Sequence, residues 1–564
     1  MPRDRKAPSK TAGKYSSAIT AGAIGIAATG VFCLVYGLLI NSSYVYTAQQ
    51  PIFFTTWSFF AETALHPGGL ATYLGLLLSQ CFYWPWLGAV VCTILMGTIY
   101  AGTRMLLRRM SGASGPMGSL IPFALLFIMH CSYFHLLEFD VRILFLCAFG
   151  VVSLGAGRIK GASRILAVTV LLLAVYGVAG VAVSTACLVM LFCGMIYTTR
   201  GIKDAVVPLV PGFALALTIG IAYGTFYSAN PAGEIASSVV SSHYAIPLLP
   251  GIVLFYYAFL PLGSFLVGKC RPGPRFLRGR VAALFGLAAI LVLGFAGWGF
   301  SFDPTVQRCL RFDRYAQDRQ WKSILAEEST LPGLNTNDFF FLCRSFFHEG
   351  MFVNEVVGNP SFKCADALTC DMDRNPCLFS AIFNSDLFFE MGATNQAIRW
   401  ALEAINNFQC LTPRMLQRLT ICYAAQGKIE MARSLAGILG ATIIGRDWAR
   451  DFAPLLDDSL RLAANDEIRR LRMLEPAKAY ISQPAILPYE FRHIWFNGRT
   501  FNKMAFEYSL ALIPELLNDD MAFTDLTRKC QAGNDSSCTK IKDTYANTRL
   551  LYDLSGATKP RMQE

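Results

Sequence analysis

The first 300 residues consist of long apolar runs separated by short polar segments. A helix needs about 20 apolar residues to cross the hydrocarbon core of a bilayer, so these runs predict about nine membrane spans. The predicted spans are Ser17–Ile40, Pro85–Leu107, Gly118–His135, Val141–Gly157, Ile165–Ala179, Val181–Thr199, Val207–Tyr227, Ile246–Gly268 and Val281–Phe300. Gly177 and Gly180 provide the turn that divides the fifth span from the sixth.

The segment between the first two spans, residues 41–84, has a different pattern. Phe53–Phe60 and Leu70–Leu78 are apolar but too short to cross a bilayer, and His66–Gly69 separates them. Such runs predict interfacial or re-entrant helices. Two interpretations stay open: these helices seal the outer rim of the bundle, or they form a lid over a lipid-exposed active site.

From residue 301 the pattern changes to amphipathic helices of 12–17 residues joined by short turns. Two units repeat at a spacing of 35 residues: Phe388, Gly392, Ala397 and Ala401, then Tyr423, Gly427, Ala432 and Ala436. An aromatic residue, a glycine four positions later and then two alanines resemble the tetratricopeptide repeat. Weaker copies begin at Tyr315 and Phe346 with Arg319 and Gly350 in the glycine position. The pattern predicts a solenoid of four to six helical hairpins.

The two halves differ in charge, and the basic residues of the first half predict its orientation in the membrane. Residues 1–300 hold 19 Lys/Arg and 6 Asp/Glu, whereas residues 301–564 hold 30 and 32. Eighteen of the 19 basic residues fall in alternate segments, and Arg142 alone falls in the others. By the positive-inside rule the N-terminus is cytoplasmic and the last 264 residues lie outside.

These patterns predict an all-α chain in three parts: a cytoplasmic basic tail (1–16), a polytopic transmembrane bundle (17–300) and an extracytoplasmic repeat domain (301–564). With only 15% charged residues overall, the chain is neither a single soluble globule nor disordered. The positive charge belongs to the apolar half, so it indicates membrane topology and no nucleic-acid partner. The expected location is a bacterial cytoplasmic membrane.

We expect the cysteines of the outer half to have structural roles. Cys530 and Cys538 flank a loop of Gly, Asn and Ser, and we expect a possible disulfide there because the compartment permits one. Cys364, Cys370 and Cys377 share one irregular stretch. No C-x-x-C pair occurs, so no cysteine metal site is expected.

Candidate chemistry in the membrane half collects on the outer side. Of its six acids, Glu62, Glu138, Asp140 and Glu234 are predicted outside. For a transferase with a lipid-phosphate donor, Glu62, Glu138 and Asp140 would be the catalytic acids, one of them acting as a base on the acceptor. They would also share a divalent cation. The histidines His66 and His135 would bind phosphate.

A structural interpretation of the same residues is also open. Ionisable side chains avoid the bilayer core and collect in loops whatever their function. Glu138 and Arg142 are spaced to form an i, i+4 ion pair, and His130 fits the interior of the bundle. The spans lack the buried acids and lysines that mark an ion path, so transport is less favoured. In the repeat half, Trp495 is a candidate anchor for a protein or peptide partner.

Several stretches resemble an uncharacterised family of Bacteroidota inner-membrane proteins, a domain of unknown function. The stretches are Phe53–Ala89, with His66–Leu70 and Tyr83–Gly88 inside it, and Asn497–Asn502 with Met504–Tyr508. The resemblance runs the length of the chain. It implies a cytoplasmic-membrane location and outer repeats, and it implies no activity.

A second resemblance is architectural. Membrane glycosyltransferases of the C-type fold carry a long first outer loop with interfacial helices, and acids in that loop and between spans three and four. Here those positions hold Glu62 and then Glu138 and Asp140, but residues 41–61 contain no acid.

The sequence thus predicts an integral membrane protein whose outer repeats bind or scaffold an envelope partner. A C-type glycosyltransferase with a lipid-linked sugar donor is the alternative. The partners expected are the lipid bilayer and a protein or peptide. The binding protein needs no cofactor or metal, whereas the transferase would need a divalent cation.

Overall fold

The computed structural model describes residues 10–111, 117–155, 159, 161–198, 202–225, 231–241, 244, 246–269, 288, 292, 295–297, 299, 301–328, 333–356, 368–370, 379–408, 411–476, 491, 493–494 and 498–517. These residues form helices and no β-strand. The chain divides into two compact units, Met1–Pro304 and Thr305–Glu564.

The first unit contains eleven helices among its described residues. They are α1 Lys10–Leu34, α2 Ser42–Gln49, α3 Trp57–Ala64, α4 Gly69–Ser79, α5 Pro85–Ser111, α6 Met117–His130, α7 Leu137–Gly155, α8 Ala162–Thr198, α9 Ile202–Thr225, α10 Pro231–Val239 and α11 Leu249–Lys269. A π-helical turn, Val35–Ile40, extends α1, and a 3₁₀ turn, Gln80–Tyr83, precedes α5.

Three helical segments of this unit are long and apolar enough to cross a membrane: Gly22–Ile40, Pro85–Met110 and Ala162–Gly194. Shorter apolar segments are Gly118–His130, Pro208–Tyr223 and Leu249–Ser264. Each of the first eight predicted spans overlaps a helix. The ninth, Val281–Phe300, lies mostly outside the described residues.

The helix α8 is broken where two glycines are predicted to form a turn. Gly180 has φ +86°, outside the helical region, so α8 consists of two helices that meet there. Gly68 packs directly against this break: its N–H donates to the carbonyl of Gly177 at 2.9 Å. A Cβ on Gly68 would lie 2.9 Å from the Cα of Gly180. The His66–Gly69 break between α3 and α4 is therefore held on the break in α8.

The second unit consists of shorter helices. They are α12 Pro304–Gln317, α13 Trp321–Glu328, α14 Thr336–His348, α15 Phe352–Glu355, α16 Ser380–Glu390, α17 Thr394–Phe408, α18 Pro413–Ala425, α19 Ile429–Gly440, α20 Arg446–Asp457, α21 Ser459–Ala464, α22 Asp466–Leu474 and α23 Lys503–Leu517. Thr412 caps α18, and Pro413 lies in its first turn.

One turn geometry joins four successive helix pairs, α12–α13, α14–α15, α16–α17 and α18–α19. The residue in the repeat's glycine position has a positive φ in all four: Arg319 (56°), Gly350 (73°), Gly392 (71°) and Gly427 (78°). The next residue donates its N–H to the carbonyl of the aromatic residue five positions earlier, at 2.8–2.9 Å. This is the Schellman motif, which satisfies carbonyls at the end of a helix. The alanines Ala397, Ala401, Ala432 and Ala436 are buried in the second helices.

Ion pairs connect the first helices of successive hairpins, α14, α16 and α18. Arg344 of α14 pairs with Glu390 of α16 at 2.7 Å, and Arg418 of α18 pairs with Asp386 of α16 at 2.6 Å. Arg344 and Asp386 are almost wholly buried. The core of this unit is therefore polar at defined points and is not formed by apolar packing alone.

Candidate functional site

The first unit brings two histidines and an aspartate together. His130 is the last residue of α6, His135 lies in the short connection that follows, and Asp140 is in the first turn of α7. The tight connection folds back on the end of α6, with N–H to carbonyl bonds from Cys131 to Phe127 and from His135 to Ser132. This return places side chains five and ten residues apart beside each other. All three side chains are at most 2% exposed.

One carboxylate oxygen lies between the two imidazoles. Asp140 Oδ2 is 2.8 Å from His135 Nε2 and 3.1 Å from His130 Nε2. The two imidazole rings have centroids 4.2 Å apart. Among all described residues, this is the group of His, Cys, Asp and Glu side chains that could hold a metal ion.

Two groups from other elements orient His135. Its Nδ1 is 2.7 Å from the hydroxyl of Tyr244, which lies between α10 and α11. Gln49, the last residue of α2, donates its amide to the carbonyls of Tyr133 and His135 at 3.0 and 2.8 Å. The α2 helix thus fixes the loop that carries His135.

The α4 helix packs directly on the start of α7. A Cβ on Gly75 would lie 2.6 Å from the Cα of Glu138, so only glycine permits this approach. The connection between α6 and α7 is therefore enclosed by α2 and α4.

The other predicted site residues do not join this cluster. Glu138 pairs with Arg142 on a different face of α7, and both side chains are about one-fifth exposed. Glu62 on α3 and His66 between α3 and α4 are exposed. Trp495, Cys530 and Cys538 lie outside the described residues, as does the side chain of Glu234.

The described cysteines of the second unit are buried. Cys343 lies in α14 and Cys422 in α18, and both are free thiols, while Cys309 and Cys370 are buried as well. Burial raises the pKa of the Cys422 thiol to about 12, so it stays protonated at neutral pH. Tyr508 of α23 is buried and stacks on Phe352 at 4.7 Å.

The sequence predicts that His130 is buried in the bundle, but it does not predict a contact between His130 and Asp140. The sequence signal for this contact is the short spacing between the end of α6 and the start of α7. A tight loop between two helices brings residues at those two ends close together. Nothing in the sequence points to Tyr244, which lies 109 residues from His135.

The arrangement is a chain of hydrogen-bonding groups closed off from solvent. When Tyr244 donates to Nδ1 of His135, the Nε2–H of that ring donates to Asp140, and the imidazole is neutral. Tyr244 is 8% exposed. The cluster therefore holds no reacting group at an open surface of the described residues.

Comparison with known proteins identifies one family. A family of unknown function (DUF6057) matches residues 14–557, which includes parts of both compact units. No curated protein and no solved structure matches the chain.

Proposed function

The chain belongs to this family of unknown function, and we propose that it is a multi-pass membrane protein whose outer helical repeats bind a protein or peptide partner in the bacterial envelope. The membrane half anchors the repeats and supplies their orientation. In this proposal the N-terminus is cytoplasmic, about nine spans cross the cytoplasmic membrane, and residues 301–564 form a tetratricopeptide-like domain in the periplasm.

The membrane part of the proposal is supported by two independent features. Three helices have the length and composition of spans. The 18 to 1 distribution of basic residues between alternate segments is the asymmetry that fixes orientation in a bilayer. An odd number of spans carries the repeats to the side opposite the N-terminus.

The repeated Schellman turn is the observation that carries the binding function. Four helix pairs of the second unit have a residue with positive φ at the same position of the turn, and the same backbone hydrogen bond follows it. Stacked helix pairs build an extended surface, and such surfaces commonly bind peptides and proteins.

The glycosyltransferase alternative has less support. It needs Glu62, Glu138 and Asp140 at one accessible site, with a carboxylate free to act as base. Asp140 is buried between two imidazoles, Glu138 is paired with Arg142, and Glu62 is exposed on α3. The contacts of Glu138 and Asp140 account for the positions of these two acids.

Site-specific photo-crosslinking in intact cells tests the proposal. A photoreactive amino acid replaces Leu402, Met431 or Leu460, three exposed apolar residues of the second unit. The matched control position is Trp57, an exposed aromatic residue of the outer segment. We expect a discrete protein adduct from one or more repeat positions and none from Trp57.

Two results would count against this function. Adducts from Trp57 alone would move the binding surface to the membrane half. Turnover of a lipid-linked sugar by the purified wild type, lost in both Glu62→Gln and Asp140→Asn, would favour the transferase.

A further inference from the structure

We propose that His130, His135 and Asp140 bind one first-row divalent transition-metal ion, for which Zn²⁺ is the reference ion. The ion would join the end of α6 to the start of α7 and enclose the loop between them. This inference is independent of the partner-binding function proposed above, because it concerns only the membrane half.

The donor atoms already converge on one point. One ligand atom from each of the three residues can be chosen so that all lie within 4.8 Å of one another. Neighbouring ligands of a tetrahedral ion with bonds of about 2.0–2.1 Å are about 3.3 Å apart. The Oδ2 to Nε2 distances of 2.8 and 3.1 Å are shorter, so these two contacts would lengthen by about 0.5 Å or less around the ion.

Two buried polar atoms of the cluster lack hydrogen bonds among the described residues. They are Asp140 Oδ1 and His130 Nε2. The second atom lies 3.1 Å from Asp140 Oδ2 but is not directed along a hydrogen bond to it. A buried polar atom without a hydrogen bond destabilises the folded state, because nothing replaces its lost hydration. A cation between the two imidazoles would bind the lone pair of His130 Nε2. Asp140 Oδ1 would then act as a second carboxylate ligand to the same ion.

The donor set selects the type of ion. Imidazole nitrogen binds Zn²⁺, Fe²⁺ and related ions well, whereas Mg²⁺ and Ca²⁺ prefer sites made of oxygen atoms. Two histidines and one carboxylate therefore favour a transition metal. Three protein ligands leave one or more positions on the ion for water or another small ligand.

Tyr244 completes the arrangement expected around a metal-binding histidine. A ligating imidazole usually bonds through its second nitrogen to a neighbouring oxygen, which fixes its tautomer and orientation. Here Nδ1 of His135 is 2.7 Å from the Tyr244 hydroxyl, while Nε2 faces Asp140. In the metal-bound state Nδ1–H would donate to Tyr244, and Nε2 would bind the ion.

Titration of the full-length protein with Co²⁺ tests the site. The chain is purified in detergent, treated with a chelator and titrated while its visible spectrum is recorded. We expect d–d absorption bands that saturate at one Co²⁺ per chain and disappear when one equivalent of Zn²⁺ is added. If the wild type shows no such bands and binds no Zn²⁺, the proposal is overturned, whatever the variants do.

Three variants and a control locate the site. His130→Ala and Asp140→Asn should abolish the bands, and Tyr244→Phe should weaken Zn²⁺ binding by about 10–100-fold. His66→Ala is the matched control, since His66 is an exposed histidine of the same unit outside the cluster, and it should bind as the wild type does. Circular dichroism of each variant confirms that it is folded. Bands that persist in folded His130→Ala and Asp140→Asn would overturn the assignment.

Discussion

Arg414 and Asp313, which lie 101 residues apart in the sequence, form a bidentate ion pair with N to O distances of 2.8 and 2.9 Å. Asp313 is 1% exposed, and the same guanidinium group also contacts Asp386. The pair links the first helix of the first hairpin to the first helix of the fourth. In an open repeat array each hairpin contacts only its neighbours. These helices are therefore coiled tightly enough for distant hairpins to meet.

Replacing Arg414 should destabilise the second unit. The change Arg414→Met keeps much of the side chain's volume but leaves the carboxylate of Asp313 buried without its partner, which costs about 3–5 kcal/mol. Arg433→Met is the matched control, because Arg433 pairs with Glu430 and Asp457 at the surface. Exposed ion pairs contribute little to stability, because solvent screens them. Hydrogen exchange of peptides from α12 and α18 measures both effects, and equal protection in the two variants would contradict this account.

The stability of the second unit should fall in acid. Burial acts to raise the pKa of Glu390, but the charge of Arg344 and the bond from His348 outweigh it and hold the pKa well below the usual 4.5. The unfolded chain then binds a proton that the folded chain does not, so stability is lost as pH falls below about 4.5. Glu390→Gln should remove part of this acid slope, whereas exposed Glu430→Gln should not. Urea unfolding at pH 7 and pH 3.5 provides the measurement, and an unchanged slope in Glu390→Gln would argue against the assigned ion pair.

Arg319 occupies the left-handed position that glycine occupies in the other three turns. A side chain at positive φ costs about 1 kcal/mol, and glycine avoids that cost. Arg319→Gly should therefore stabilise the second unit by about 0.5–1 kcal/mol. Arg314→Gly, inside the preceding helix α12, should destabilise it by about 1 kcal/mol. Thermal unfolding checks the opposite signs, and destabilisation by both changes would show that the turn is not under this strain.

The hairpin turns could be predicted because their signal is local. An aromatic residue, a glycine four positions later and two alanines recur at a spacing of 35 residues, and this repeat predicts turns at Gly392 and Gly427. The break at Gly180 was predicted for the same reason. The contact of Arg414 with Asp313 could not be, since it depends on how several hairpins coil together.

The candidate site could be predicted only in part from the sequence. Asp140 and His135 were singled out, but the pattern grouped Asp140 with Glu138. Residues two apart on a helix point about 200° from each other, and the structure places Glu138 against Arg142 and Asp140 against the histidines. Tyr244 reaches the cluster through tertiary packing, which no short-range pattern encodes.

The pair of Glu138 and Arg142 should behave as a structural ion pair. Glu138→Gln should lower the amount of folded protein in membranes because it leaves Arg142 without its partner near the start of α7. The double change Glu138→Gln with Arg142→Gln should restore much of that loss. For a partly exposed pair we expect a coupling of about 1 kcal/mol. Quantitative immunoblotting of membrane fractions measures the amount, and a double variant as poor as the single one would indicate a different role for Glu138.

The orientation of the repeats is the central claim, and reporter fusions test it most directly. A reporter active only in the periplasm is fused after Glu564, Arg109 or Lys203, the last two in segments predicted to be cytoplasmic. We expect activity for the fusion after Glu564 and none for the other two. A silent fusion at Glu564, or an active one at Lys203, would contradict an anchored protein with its repeats outside the cytoplasmic membrane.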